Sequence, residues 1–226
     1  MLASIALRTF LAAAALAACS NATERPPTSS GTALPTSVAA TTDTASIATR
    51  ADRGRIRGDS AAPLWVVIVS DFQCPYCRQW HDEVYPSIVR EYVDTRKVRL
   101  AYVNLPLSSH QHAQESAEAA MCAAVQGRFW EMHDALFRTQ DRWARIGAPR
   151  ALFDSLAASV GVDGAPYRAC VESNATRPIV LEDAQRVADA GVSVTPTFFI
   201  GSERIEGAMP LPDFRAALDR ALAGGR

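Results

Sequence analysis

The sequence predicts an α/β domain whose sheet is interrupted by a long helical insertion, and three observations carry that expectation. A continuous apolar, β-branched run, Leu64–Val69, and a second strand pattern, Val98–Val103, flank a helical pattern. Residues from about 110 to 190 then show helical periodicity with almost no strand signal. Thr197–Ile200 and Glu203–Glu206 read as a hairpin around Gly201-Ser202, and Pro212 to about Leu222 reads as a closing amphipathic helix.

Each element has a local reason. Leu64-Trp65-Val66-Val67-Ile68-Val69 lacks polar alternation, as expected of a strand covered on both faces. A short polar turn leads to Cys74, and Pro75 stands where a first helical turn tolerates proline. The helix it opens is expected to reach about Tyr92, with Trp80, Val84, Ile88 and Tyr92 at helical spacing and a kink at Pro86. Val98–Val103 is a second buried strand, closed by Asn104-Leu105-Pro106. Within the insertion, assigned to about 108–190, the expected helices are Gln111–Val125, Phe129–Thr139, Pro149–Val160, Gly164–Ser173 and Arg177–Ala190.

The N-terminal part reads differently. Arg8 and the apolar run Phe10–Ala18 have the pattern of an export signal, too short to span a bilayer comfortably, so residues 1–18 are assigned to it. Leu16-Ala17-Ala18-Cys19 resembles the bacterial lipobox, in which the cysteine is lipidated and becomes the new N-terminus; ordinary cleavage nearby is the alternative. Residues 19–52, rich in Ser, Thr, Ala and Pro, cannot bury enough surface to offset chain entropy and read as a disordered tether with a reach of roughly 30 Å. The folded domain is expected over 53–226, in a periplasmic or other extracytoplasmic setting and anchored to a membrane by lipid. With 23 Lys and Arg against 24 Asp and Glu, no basic surface for nucleic acid is expected.

Of five cysteines, Cys19 is set aside, leaving Cys74, Cys77, Cys122 and Cys170, an even number that reads as two pairs in an oxidising compartment. Two thiols in Cys74-Pro75-Tyr76-Cys77 can form a small reversible disulfide. At a helix N-terminus the unpaired N–H groups and the helix dipole stabilise a thiolate on the first of them. Cys74 is therefore expected to be the nucleophile and Cys77, one turn in, the resolving thiol, with Pro75 stiffening the turn and Tyr76 tuning access. Half of a zinc site is the competing reading. It needs two further ligands, and Cys122, Cys170, His81, His110, His112 and His133 show no paired ligand spacing, so neither metal nor cofactor is expected.

Asp71-Phe72-Gln73-Cys74-Pro75-Tyr76-Cys77 after an apolar strand resembles the DsbA-like branch of the thioredoxin superfamily. Val194-Thr195-Pro196-Thr197-Phe198-Phe199-Ile200 resembles its cis-proline segment, and Phe129–Phe137 a helix of its inserted helical domain. The resemblance covers roughly residues 55–226. It implies a thioredoxin fold with an inserted α-helical domain and a cis Thr195–Pro196 bond beside the cysteine pair. It also implies a Thr195 backbone open to pairing with an extended client, and a membrane-bound partner for re-oxidation. Relatives with an extra disulfide in the helical region imply a structural Cys122–Cys170 bond; two buried free thiols are the alternative. The buried acid usual six residues before the nucleophile is replaced by Ile68. The activity implied is thiol–disulfide exchange with cysteine-containing exported proteins, in the direction of disulfide donation, by a monomer. A reductase or isomerase of selected clients, or a chaperone-like binding module, are the rivals.

Overall fold

The computed structural model describes residues 47–224. The signal segment, Cys19 and residues 19–46 of the expected tether lie outside the described residues. The tether does not extend to residue 52. Residues 47–54 form a helix, α1, whose Ala51 is fully buried in the core. The Ser/Thr/Ala composition hides this helix because its burial comes from tertiary contact rather than from an apolar stripe of its own. Gly54, at its end, lies so close to α4 (Ala113–Ala124) that an added Cβ would sit 2.4 Å from the Ala124 carbonyl oxygen.

Five strands form one sheet in the order β1-β3-β2-β4-β5. β2 (Leu64–Ser70) and β3 (Val98–Asn104) are parallel, in register from Leu64 opposite Val98 to Ser70 opposite Asn104. β4 (Thr197–Ile200) joins β2 antiparallel, and β5 (Glu203–Glu206) closes the hairpin. A short strand β1 (Ile56–Arg57), too brief to leave a sequence pattern, extends the other edge against β3. Six helices lie between β3 and β4: α4, α5 (Phe129–Arg138), α6 (Gln140–Trp143), α7 (Arg150–Ser159), α8 (Gly164–Glu172) and α9 (Arg177–Asp189). α10 (Leu211–Gly224) closes the chain. Among the described residues no helix is long and apolar enough to cross a membrane.

The helix after Cys74 is not continuous to Tyr92. α2 (Pro75–Glu83) ends at Val84, α3 (Tyr85–Ile88) restarts with Pro86 in its first turn, and a π-helical turn spans Val89–Val93. Pro86 has no N–H to continue the ladder, so the chain reopens a helix around it instead of kinking one. The break orients Trp80 and Tyr85 into the core, where Trp80 meets Phe198 at 4.7 Å and Phe214 at 5.4 Å between ring centroids. Trp80, Phe129 and Trp130 are core residues.

The insertion is tied to the sheet by polar as well as apolar contacts. Buried Asp183 of α9 accepts from the Asn104 backbone N–H (3.1 Å) and side-chain Nδ2 (2.8 Å) and pairs with Arg55. In that pair neither buried charge is left without a partner. Cys122 of α4 and Cys170 of α8 are joined by a disulfide that closes a segment of 48 residues.

Two stability outcomes follow. Replacing Cys122 and Cys170 by alanine should lower the unfolding free energy by about 4 kcal/mol on chain-entropy grounds, read as a fall in the urea midpoint. Gly54→Ala should destabilise by about 1–3 kcal/mol, because backbone rather than a movable side chain opposes the new methyl; an unchanged Tm would contradict that packing.

Candidate active site

The site is built where β2 hands the chain to α2. Asp71, whose side chain is wholly buried, shapes the turn. Its Oδ1 accepts from the Gln73 N–H at 2.7 Å, and its Oδ2 accepts from the Leu107 N–H at 2.9 Å and pairs with His110 Nδ1 at 2.7 Å. The Cys74 N–H donates to the Asp71 carbonyl at 3.1 Å. Cys74 is thus held as the N-cap of α2 with extended backbone (φ −70°, ψ 124°), Pro75 occupies the first turn, and no side chain caps the helix. The free N–H groups of that turn are left to the Cys74 sulfur.

Cys74 and Cys77 stand as free thiols, and both are buried: Cys74 is 3% exposed and Cys77 2%. Shielding alone therefore does not distinguish them; hydrogen bonding does. A hydrogen bond from the Cys77 thiol is the largest influence lowering the Cys74 pKa, to about 6, against the opposing effect of burial. The Thr195 hydroxyl and the N–H groups of Cys77 and Tyr76 add to it. Cys77 moves the other way, well above the ordinary thiol value, because burial disfavours its anion and the neighbouring Cys74 charge repels it. Ser70, at the end of β2, and the Asp71 backbone N–H partly offset this by favouring the Cys77 anion.

The Thr195–Pro196 bond is cis and brings its segment against the cysteines. The Cys74 thiol lies 3.4 Å from the Thr195 carbonyl oxygen, to which it can donate; as thiolate it can only accept, and the buried Thr195 hydroxyl, which makes no hydrogen bond with the thiol present, is the nearby donor. Thr195 itself is buried, so the solvent-facing part of this segment is Val194, 41% exposed. Tyr76 is 63% exposed beside the pair. Cys122 and Cys170, joined to each other, hold the insertion and take no part in this site.

Several residues around the cysteines left no sequence signal. Gln140, on the short unpredicted helix α6, donates through Nε2 to the carbonyls of Phe72 (2.7 Å) and Cys74 (3.0 Å). Gln73 accepts from the His112 N–H at 2.6 Å and reaches the Ala144 carbonyl at 3.3 Å. His110 and His112 fit caps or surface groups by sequence. In the structure His110 is paired with Asp71, and His112 is buried at the start of α4 without capping it through its side chain. Ile68, where an acid would stand, is a core residue. Only proximity along the chain could have hinted at Asp71; the glutamines are recognisable only once the insertion is folded back.

A thioredoxin family model matches residues 50–220. The chain is 35% identical over 176 residues to a Na(+)/H(+) antiporter NhaA of Salinispora tropica, covering 77% of this chain and 26% of that one. A candidate protein-disulfide oxidoreductase of Rickettsia typhi is 27% identical over 160 residues, covering 70% of this chain and 58% of its own length. The chain therefore spans about a quarter of the one and under two thirds of the other. Among solved structures, oxidised BdbD from Bacillus subtilis superposes with TM-score 0.69 at 21% identity over 76% of this chain and 95% of that one. Wolbachia pipientis α-DsbA1 superposes with TM-score 0.68 at 20% identity, over 76% and 92%. These show the fold: a thioredoxin sheet with the helical insertion of DsbA-type proteins. With the cysteine turn, the cis-proline segment and a family model matched over residues 50–220, the chain belongs to the thioredoxin family.

Proposed function

We propose that the protein is a thiol–disulfide oxidoreductase working through Cys74 and Cys77 on exported proteins, in the direction of disulfide donation. The observation that carries the reading is the split between the two sulfurs: Cys74 lowered to about 6, Cys77 raised, a turn apart on one helix. The candidate oxidoreductase of Rickettsia typhi supports the same class of chemistry.

A client thiolate attacks Cys74 Sγ in the Cys74–Cys77 disulfide; the S–S bond breaks, Cys77 leaves and takes up a proton, and a mixed disulfide with Cys74 remains. A second client thiolate attacks the client sulfur of that bond and expels Cys74. Two electrons pass from client to enzyme, and the client's disulfide forms. A leaving thiol of low pKa departs faster, so the stabilised Cys74 anion accelerates the second step and favours the reduced enzyme at equilibrium. Pro75 limits motion in the turn, and the exposed Val194 edge beside Thr195 and Pro196 offers an extended client a place to pair. Ile68, six residues before Cys74, is an apolar core residue where an acid could take the resolving thiol's proton, which weighs against a reductant, whose resolving thiol must be deprotonated in every cycle.

Re-oxidation requires a membrane redox partner, and export with lipidation at Cys19 would keep the domain near it. Mass spectrometry of the mature chain should find Cys19 as a lipid-modified N-terminus; an unmodified Cys19 would remove the anchor.

The alkylation rate of reduced protein should rise with pH along a single transition centred near 6, with Cys74 about 90% ionised at pH 7. A midpoint at the ordinary thiol value near 8.5 would overturn the assignment. Equilibration with glutathione should place the pair on the oxidising side of about −200 mV, whereas a value near about −270 mV would make it a reductant. Cys74→Ser should abolish client oxidation with client binding and the fold retained; cellular function unchanged without Cys74 would leave a binding module as the better reading.

A further inference from the structure

Away from the cysteines, three ligand-type side chains that are far apart in the sequence converge. His81 on α2 and His133 on α5 are both buried, and each turns a ring nitrogen to the same oxygen of Asp134. His133 Nδ1 lies 2.9 Å and His81 Nε2 3.2 Å from Asp134 Oδ1, and the three donor atoms all lie within 4.8 Å of one another. A tetrahedral ion with bonds of about 2.0–2.1 Å holds its donors about 3.3 Å apart. The two donor spacings to Asp134 Oδ1 are within a few tenths of an ångström of that value, and the two imidazole nitrogens, within 4.8 Å of each other, would draw together on an ion.

A second, independent feature points the same way. The other ring nitrogen of His81, Nδ1, faces Asp82 Oδ1 at 2.8 Å. A carboxylate on the far nitrogen is the arrangement that fixes the tautomer and orientation of metal-bound histidines. His133 is held rigidly among aromatic rings, with Phe137 at 5.0 Å and Tyr85 and Trp130 at 5.1 Å. Asp134 and His81, though not the fully buried His133, also line a cavity of about 480 Å³ through which an ion could reach them. Arg57, Arg90 and Arg138 on the same wall suit water, hydroxide or a small anion as the fourth ligand.

We propose that His81 Nε2, His133 Nδ1 and Asp134 Oδ1 form a site for one divalent transition-metal ion of the zinc type. Two imidazoles and one carboxylate select such an ion over calcium or magnesium, which take oxygen donors. On binding, His81 Nε2 and His133 Nδ1 present lone pairs where they now face the carboxylate, and His81 keeps the Nδ1 proton that it gives to Asp82. The ion joins α2, which carries the resolving cysteine, to α5 of the insertion, and so adds binding free energy to the folded state. The site shares no ligand with the cysteine pair, so its failure would leave the proposed exchange chemistry untouched.

The test uses full-length protein with the Cys74–Cys77 disulfide closed, so that those thiols cannot take metal. Zinc is titrated in competition with a chromophoric chelator; one equivalent should bind, and Tm should rise with zinc concentration. Asp134→Asn and His81→Gln, on different helices, should each weaken binding at least tenfold while retaining the far-ultraviolet circular dichroism of the parent. Cobalt bound to the parent should show d–d bands without a thiolate charge-transfer band. Absence of stoichiometric binding, affinity unchanged in both variants, or a thiolate band would overturn the site.

Discussion

A helix that begins on a cysteine, with a proline in its first turn and no side chain to cap it, is the constraint from which the active site follows. The unsatisfied N–H groups of that turn have one acceptor within reach, the Cys74 sulfur. Anionic charge there is favoured, and the same charge, with burial, holds the proton on Cys77 three residues on. The asymmetry between the two sulfurs thus comes first from the Cys77 thiol's hydrogen bond to Cys74 and from the burial of Cys77, with the N–H groups of the helix start adding to it. Were the helix to begin one residue earlier or later, the N–H groups would meet a different atom.

Holding the start in place is the task of the surroundings. Asp71 spends both carboxylate oxygens on the turn, the Leu107 loop and His110. Gln140 and Gln73 fasten the insertion to the same few residues. Neutral hydrogen bonds of this kind contribute about 1 kcal/mol each. Their larger effect is positional, since they fix the backbone whose N–H groups face the sulfur. The helical insertion is therefore part of the site's frame, and the Cys122–Cys170 bond, through α4 and α8, braces that frame at a distance.

Cys77 and Ile68 both lie in the buried core, and the Cys77 thiol is held protonated by burial. Burial raises the cost of charge on Cys77, and the Ser70 hydroxyl and the Asp71 backbone N–H soften it in part. A site so arranged retains the Cys77 proton while favouring the Cys74 anion.

The strand–helix–strand order, the helical block, the hairpin and the last helix were legible in the sequence, because apolar periodicity is local and long elements repeat it. So was the position of the reactive turn, since Pro75 after Cys74 marks a helix start and two cysteines at that spacing share a turn. The cis bond and the Cys122–Cys170 pairing were expected only through resemblance. What tertiary structure alone decided was anything set by contact between distant segments: the burial of residues 47–54 against α4, the break at Val84, the grip of Gln140 on Cys74, and the meeting of His81 with His133 and Asp134. Periodicity records which face of an element is apolar; it carries no record of which other element that face will meet.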